Sequence, residues 1–253
     1  MKAQYSAVIM GVESEYGLSA VLAKYCATQG LHVYIAGRNT AALQKVSRQV
    51  LQNGGTASAI VIDAGKEYDM DHLFDVIHFE GTVLQFAVYH VNNTIPSSIL
   101  ANDSEVLTAL WQQNCLGAML FAKEVISCMQ AHNKGSLFLT GMTTALDTQP
   151  TCMITTSLQA ELKSFAQSLA KEVASTGIHV VHVSLDSQFK AQRITPSFPG
   201  YTPKNESENL STLETIAETY WHIHQQTADL WVHEFELKPF KVCFQSKSTH
   251  PTL

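Results

Sequence analysis

The stretch MGVESEYGLS, residues 10–19, contains residue types suited to binding phosphate. An apolar run, SAVIM, leads into it, and an amphipathic run, LSAVLAKYCATQG, follows. A glycine turn between a strand and a helix places backbone N–H groups and a helix N-terminus where the pyrophosphate of a dinucleotide binds. Two carboxylates, Glu13 and Glu15, stand in this turn, and they would repel an incoming phosphate.

Two interpretations of this turn remain open from its residues. In the first, Glu13 and Glu15 cap the following helix, where negative charge is favourable, and the turn binds no cofactor. In the second, the turn is a weakened but usable cofactor site. A side chain at position 15 narrows the backbone approach that a glycine would permit, so both interpretations predict reduced affinity for phosphate.

The elements that position this turn follow from hydrophobic patterning. Short apolar runs predict strands at 6–10, 31–37, 57–63, 83–90, 135–141 and 178–186, with an edge strand at 233–240. Amphipathic runs predict helices at 17–29, 40–53, 68–79, two segments within 103–132, 152–176 and 212–225. Near-continuous apolar strands separated by helices indicate a parallel sheet buried on both faces. The predicted fold is a Rossmann-type, doubly wound α/β sheet with helices on both faces.

The domain organisation is expected to be simple. The chain has 253 residues, enough for one large α/β domain, and the single domain is predicted over 1–245. The segment 187–211 contains several prolines among polar residues and is predicted to be a lid or substrate loop. Residues 246–253 are predicted to form a flexible tail.

Composition excludes several classes of partner. The formal net charge of -6 leaves no basic surplus for contacts with nucleic acid phosphates. The chain has no run of about 18 apolar residues, so no membrane span is expected. The five cysteines are scattered without a CxxC pair, which indicates reduced thiols in a cytoplasmic protein. His222 and His224 face opposite sides of a predicted helix, so no metal site is expected.

Several stretches together resemble the short-chain dehydrogenase/reductase family over about residues 5–190, and more loosely over 212–240. They are the turn at 10–17, AGRN after the second strand, LWQQNCLGAMLFAKEV and FAQSLAKEVASTGIHVVHV. In the family's TGxxxGxG turn, Met10 takes the threonine position, Gly11 and Gly17 take the first and third glycines, and Glu15 replaces the second glycine. The resemblance implies hydride transfer between a nicotinamide cofactor and a small carbonyl or alcohol.

The resemblance also implies a set of cofactor-binding positions along the ends of the first four strands. These are Gly11, Ser14, Glu15, Tyr16, Gly17, Arg38, Asp63, Ala64 and Asn92. Arg38 stands where NADP-preferring members place a basic residue against the 2′-phosphate, or it is a solvated loop arginine. Asp63 matches the acidic residue that contacts adenine, or it is structural at a strand end. NADP is therefore the implied cofactor, bound weakly or not at all.

The family's catalytic asparagine, serine, tyrosine and lysine correspond by counting to Asn114, Met142, Thr155 and Gln159. Only the asparagine is retained. In the family's reaction, a tyrosine transfers the proton that accompanies the hydride, and the lysine lowers the pKa of that tyrosine. A threonine hydroxyl, a neutral amide and a thioether cannot take over these roles. Loss of general acid–base catalysis typically costs a factor of about 10²–10⁴ in rate.

The segment YHVNNT after the fourth predicted strand allows two alignments with the NNAG of the family. Counting back from Asn114 places His90 on the family's asparagine and Asn92 on its glycine. The other alignment uses the visible pair Asn92 and Asn93. His90 is then either a polar residue at a strand end or a substitute proton donor.

These observations predict a catalytically degenerate homologue that acts as a binding or regulatory protein for an unidentified small molecule. One alternative is an active NADP-dependent oxidoreductase with a non-standard donor such as His90. Another is a structural subunit that pairs with an active homologue. The resemblance also implies a homodimer or homotetramer, assembled through the helices at 103–132 and 152–176.

Overall fold

A computed structural model describes residues 4–93, 101–143, 153–186 and 206–238. Its strands are β1 Tyr5–Met10, β2 His32–Gly37, β3 Thr56–Val61, β4 Val83–Tyr89, β5 Gly135–Thr143, β6 Ile178–Asp186 and β7 Glu234–Leu237. They form one sheet in the order β3-β2-β1-β4-β5-β6-β7, and every neighbouring pair is parallel. The predicted doubly wound sheet and its predicted edge strand, β7, are confirmed.

In the described parts of the chain, α-helices lie between successive strands. They are α1 Leu18–Thr28, α2 Thr40–Gln52, α3 Glu67–Glu80, α4 Ser104–Trp111, α5 Gly117–Gln130, α6 Met153–Glu172 and α7 Glu206–His224. A π-helical turn, Gln112–Leu116, joins α4 to α5, so the predicted division of 103–132 into two segments is confirmed. Within the described ranges, no helix combines the length and apolarity needed to cross a bilayer.

The two faces of the sheet carry separate hydrophobic cores, because successive strand side chains point to opposite faces. On β1, Ala7 and Ile9 pack with α1, α2 and α7. Val8 and Met10 of the same strand pack with α3, α5 and α6. The near-continuous apolar character of the strands thus reflects helices on both sides of the sheet.

The strand order reverses between β1 and β4. The chain runs from β1 outward to β2 and β3, then returns to place β4 on the other side of β1. In open α/β sheets, ligands bind beyond the carboxyl ends of the strands at such a switch point. The glycine turn after β1 and the segment after β4 both lie there.

One predicted boundary is wrong. Helix α7 begins at Glu206, so residues 206–211 of the predicted lid are helical. No proline follows Pro203 in this segment, and an acidic residue at the start of a helix interacts favourably with its dipole. The rest of the predicted lid, 187–205, and the predicted tail, 246–253, lie outside the described residues.

Candidate functional site

The turn after β1 is fixed by a glycine that has no room for a side chain. Gly11 has a φ of +95°, and its N–H donates to the Ala36 carbonyl oxygen at 2.9 Å. A Cβ at this position would lie 2.1 Å from the backbone oxygen of His90. The turn is therefore held between β2 and β4, and only glycine fits it.

The N-terminus of α1 follows this turn and has no side-chain cap. Gly17 is the N-cap residue, in an extended conformation, with no side-chain hydrogen bond to the first helical turn. Ser14 closes a local turn instead, since its Oγ accepts from the Tyr16 N–H at 3.1 Å. The Tyr16 ring is exposed. The positive end of the α1 dipole is thus left without a capping side chain, as an anion-binding site requires.

The carboxylate of Glu15 turns away from α1 toward α2. It accepts from Lys45 Nζ at 2.9 Å and from Gln49 Nε2 at 3.2 Å. The hydrogen bond from Lys45 lowers the pKa of this carboxyl below its usual value. The Glu15 carboxylate is attracted more strongly to Lys45 than to the N-terminus of α1, because a lysine carries a full positive charge and a helix N-terminus carries roughly half of one. The interpretation in which the acidic residues cap α1 is therefore wrong.

Glu13 also has a cationic partner. Its Oε1 lies 3.7 Å from Nη2 of Arg38, which follows β2. The same Nη2 donates to Asn93 Oδ1 at 3.4 Å, and Asn93 Nδ2 donates to Gln113 Oε1 at 2.5 Å. We call Glu13, Arg38, Asn93 and Gln113 the polar bridge. It runs from the turn after β1, across the ends of β2 and β4, to the π-helical turn.

The polar bridge lines a small cleft at the position expected for adenosine. Gly11, Asp63 and Ala64 also line this cleft, and its free volume is about 20 Å³. A cavity of this size holds roughly one water molecule. Asp63 is engaged locally, since its Oδ1 accepts from the Gly65 N–H at 3.1 Å. The side chains of the polar bridge therefore leave little enclosed space in the cleft.

Asn114 lies at the centre of the π-helical turn and is 2% exposed. Its Nδ2 donates to the Leu110 carbonyl oxygen at 2.8 Å and to the Asn93 carbonyl oxygen at 3.0 Å. Its Oδ1 is buried and has no hydrogen-bond partner among the described residues. Asn114 therefore fixes the segment after β4 against α4 and leaves one acceptor unused.

Gln159 joins the ends of β4 and β5 from α6. Its Oε1 accepts from the Met142 N–H at 2.8 Å, and its Nε2 donates to Asn92 Oδ1 at 3.1 Å. The residue is 7% exposed. A Cβ at position 141 would lie 2.3 Å from Gln159 Oε1, so Gly141 leaves the space that the carboxamide occupies. The amide at the family's lysine position is thus a structural link.

Thr155 is buried and lies one turn before Gln159 on the same face of α6. Met142, Gln159 and Asn92 therefore meet near the ends of β4 and β5, and Thr155 lies one helical turn from Gln159. None of these four side chains is an acid or a base near neutral pH. The arrangement holds the site together but offers no proton donor of its own.

His90 is directed to the other side of the sheet. Its Nδ1 lies 2.9 Å from Ser19 Oγ in α1, whereas Thr155 and Gln159 reach the site from α6 on the opposite face. This contact ties the end of β4 to α1. A role for His90 as proton donor stays a prediction.

A buried imidazole behind the site was not predicted from the sequence. His182 on β6 is 3% exposed, and neither of its ring nitrogens has a hydrogen-bond partner among the described residues. A Cβ at position 141 would lie 3.3 Å from His182 Nε2. Burial lowers the pKa of His182 to about 4, so the ring is neutral at pH 7. A lone histidine within an apolar strand gives no signal of such a position.

Asn93 and Gln113 were also missed. Asn93 was interpreted only as one half of an asparagine pair, and Gln113 precedes the retained Asn114 in sequence without any motif of its own. Their contact in the polar bridge joins two segments that are distant in the chain. The asparagine pair was the one available signal, since Asn at the end of a strand often makes side-chain hydrogen bonds.

Comparison with known proteins gives consistent matches. A family model described as enoyl-(acyl carrier protein) reductase matches residues 11–189. An uncharacterized oxidoreductase of Staphylococcus saprophyticus is 22% identical over 92% of this chain and 96% of its own length.

Two solved structures have the same fold. The short-chain dehydrogenase from Rhodopseudomonas palustris superposes with a TM-score of 0.77 at 23% identity, covering 93% of this chain and 99% of that one. L-sorbose reductase from Gluconobacter frateurii, complexed with NADPH and L-sorbose, gives 0.77 at 18% identity, covering 94% and 97%.

Proposed function

Because the chain belongs to the short-chain dehydrogenase/reductase family, we propose that it keeps the family's fold without the family's hydride-transfer chemistry. It acts as a binding or regulatory protein for a small molecule at the carboxyl ends of the strands. The observation that carries this proposal is the side chain of Gln159, whose amide nitrogen and oxygen both bind protein groups.

The proton balance of the reaction supports this proposal. Reduction of a carbonyl needs a proton at the oxygen as the hydride reaches the carbon. Thr155 is a poor acid, and the neutral Gln159 cannot lower a neighbouring pKa through charge. Met142 contributes a backbone N–H to Gln159 rather than a hydroxyl to a substrate. These residues hold β4, β5 and α6 together, and none of them is suited to give a proton to a substrate oxygen.

Weakened NADP(H) binding is part of the same proposal. When bound, this cofactor supplies the hydride; the groups available to hold it are the uncapped α1 N-terminus and the backbone of the glycine turn. Two features oppose it, namely the polar bridge across the cleft and the side chain at Glu15. The NADPH bound to L-sorbose reductase supports a dinucleotide as the ligand class to examine first.

A titration tests the cofactor part of the proposal. We expect NADPH to bind the wild-type chain with a Kd above about 100 μM. Glu15→Gly should tighten binding, because it removes a side chain and a charge beside the turn and frees Lys45 to meet a phosphate. Micromolar affinity of the wild type for NADPH would contradict the proposal of weakened binding.

The active alternative depends on His90. Its ring lies at the end of β4, beside the turn after β1, which favours it over other histidines as a donor near the switch point. Under this alternative, NADPH consumption on a panel of carbonyl compounds would be measurable and His90→Ala would abolish it. Ser19→Ala is a matched control, since it removes one hydrogen-bond partner of His90 and keeps the imidazole. No turnover across the panel counts against this alternative.

A further inference from the structure

The position of the adenosine ribose is marked by two opposite charges. In Rossmann-type folds, an acidic residue near the end of the second strand binds the 2′-hydroxyl of NAD, and an arginine there accommodates the 2′-phosphate of NADP. Here Arg38 follows β2, and Glu13 reaches it from the turn after β1 at 3.7 Å. The side chains are 48% and 49% exposed, so both meet an entering ligand.

We propose that Glu13 makes this cleft select a dinucleotide with a free 2′-hydroxyl, NAD(H), over NADP(H). The inference rests on the proposed function only in that a dinucleotide enters at this site. It reverses the preference that Arg38 alone indicates.

The charges of the cleft support this preference. Its lining carries two carboxylates, Glu13 and Asp63, and one guanidinium, Arg38. A phosphate monoester adds about 1.5–2 negative charges at pH 7. The phosphate would compete with Glu13 for Arg38 and would also meet the repulsion of both carboxylates. A 2′-hydroxyl, by contrast, can donate a hydrogen bond to a carboxylate oxygen.

The expected preference for NAD(H) over NADP(H) is modest, because the side chains of Glu13 and Arg38 are half exposed. Exposed ion pairs are screened by water and salt, and their energies correspond to factors of about 2–5 per pair. Glu13 weakens the binding of a 2′-phosphate in two ways, because it competes for Arg38 and it repels the phosphate. Together the two effects correspond to an increase of about tenfold in the Kd of NADP(H) relative to that of NAD(H). This estimate applies to the ratio of the two dissociation constants.

The rest of the polar bridge affects both nucleotides equally. Asn93 and Gln113 line the cleft that either cofactor would enter. Any cost of moving them lowers both affinities by the same factor and leaves their ratio unchanged. The same holds for Glu15, whose carboxylate is bound by Lys45 and Gln49 on α2. The preference can therefore be measured even where both affinities are weak.

The experiment measures the Kd of NADH and of NADPH by nucleotide fluorescence at one ionic strength. We expect the wild type to bind NADH at least threefold tighter than NADPH. Glu13→Gln should shift the ratio about tenfold toward NADPH, and Arg38→Gln should shift it further toward NADH. Glu15→Gln is the matched control, with the same charge change in the same turn, and should move the ratio less than twofold.

Several results would overturn the inference. The first is tighter binding of NADPH than of NADH by the wild type. The second is an equal shift of the Kd ratio in Glu13→Gln and Glu15→Gln. The third is that neither nucleotide binds to the wild type or to Glu13→Gln at millimolar concentration. The proposed lack of hydride transfer would survive each of these results. Turnover of a carbonyl with NADH would contradict that proposal and would leave the nucleotide preference intact.

Discussion

At the residue scale, the carboxamide of Gln159 has the most defined environment in the candidate site. It pairs with a backbone N–H of β5 and with the side chain of Asn92, and it is buried. Gly141 provides the space for it. Gln159, which the resemblance aligns with the family's lysine, thus makes structural contacts, and those contacts can be tested by stability measurements.

We predict that Gln159→Ala lowers the free energy of unfolding by about 2–6 kcal/mol, because the half-buried Met142 N–H and Asn92 Oδ1 each lose a partner at about 1–3 kcal/mol. Gln167→Ala is the control on the same helix, since Gln167 donates to Glu234 at an exposed position. The control should cost less than about 1 kcal/mol. Urea unfolding measures both, and equal losses would contradict the structural role of Gln159.

The glycine turn allows a second residue-scale prediction. Gly11→Ala should prevent folding or lower stability by more than about 3 kcal/mol, because φ is positive and the added Cβ would collide with the His90 carbonyl. Gly54→Ala is the control, with a φ of +81° and nothing within 4 Å of the added Cβ. Circular dichroism and thermal unfolding of the two variants distinguish steric exclusion from backbone strain. Similar melting temperatures of Gly11→Ala and Gly54→Ala would contradict a steric exclusion at position 11.

The assignment of Met142, Thr155 and Gln159 to the family's catalytic positions rests on their spacing from FAQSLAKEV and stays a prediction. The contacts of these residues could not be predicted from the sequence. The partners of Glu15 come from α2, about thirty residues further along the chain, and their approach depends on how α1 and α2 pack. From the sequence alone, Glu15 was expected to cap the N-terminus of α1. In the structure its carboxylate binds Lys45 and Gln49 of α2 instead.

At the element scale, the edge of the sheet formed by β6 and β7 buries unusual polar groups. His179 and His182 of β6 are 1% and 3% exposed, and burial lowers the pKa of each to about 4. His179 stacks on Trp231 with ring centroids 4.7 Å apart. Lys163 and Glu234 lie near His182, with opposite and smaller effects on its pKa.

These histidines predict acid sensitivity. Their pKa is lower in the folded state than in the unfolded state, so the unfolded state binds more protons between pH 6.5 and about 4. Stability should be fully present above pH 6.5 and should fall progressively as the pH drops to about 4, by up to about 3 kcal/mol for each histidine. Urea unfolding across this range is the measurement.

His182→Met provides the control for this pH dependence. It removes two ring nitrogens that have no described partner, so stability at pH 7.5 should be unchanged or higher. The free energy of unfolding of this variant should fall less between pH 6.5 and 4.5 than that of the wild type. A wild type whose stability is constant over this range, or a variant with the same slope, would contradict the assignment.

The elements themselves were largely predictable because both faces of the sheet are covered. Strands such as SAVIM and LHVYIAG are apolar on both sides, and each core takes alternate residues from them. The start of α7 was misplaced because the segment ESENLS is polar and has no apolar periodicity to reveal a helix. The third predicted strand, 57–63, ends two residues past β3, because Ile62 continues the apolar run of that strand.

At the scale of the whole molecule, we predict a homodimer or homotetramer assembled through α4, α5 and α6. Trp111 and Met153 are large apolar residues that are 39% and 48% exposed on α4 and α6. Burial of such side chains between copies would be favourable. Light scattering should therefore give two or four times the 27.8 kDa of one chain, and a mass of one chain would contradict this prediction.

We propose that the protein does not transfer hydride, because Met142, Thr155 and Gln159 supply no proton donor. The direct measurement is single-turnover oxidation of NADH and NADPH at saturating protein, with a panel of small aldehydes and ketones. We predict no oxidation by the wild type above the rate without protein. The variant M142S/T155Y/Q159K, which restores the three family residues, should oxidise nucleotide faster if it folds. Wild-type oxidation that depends on a carbonyl compound would contradict the account.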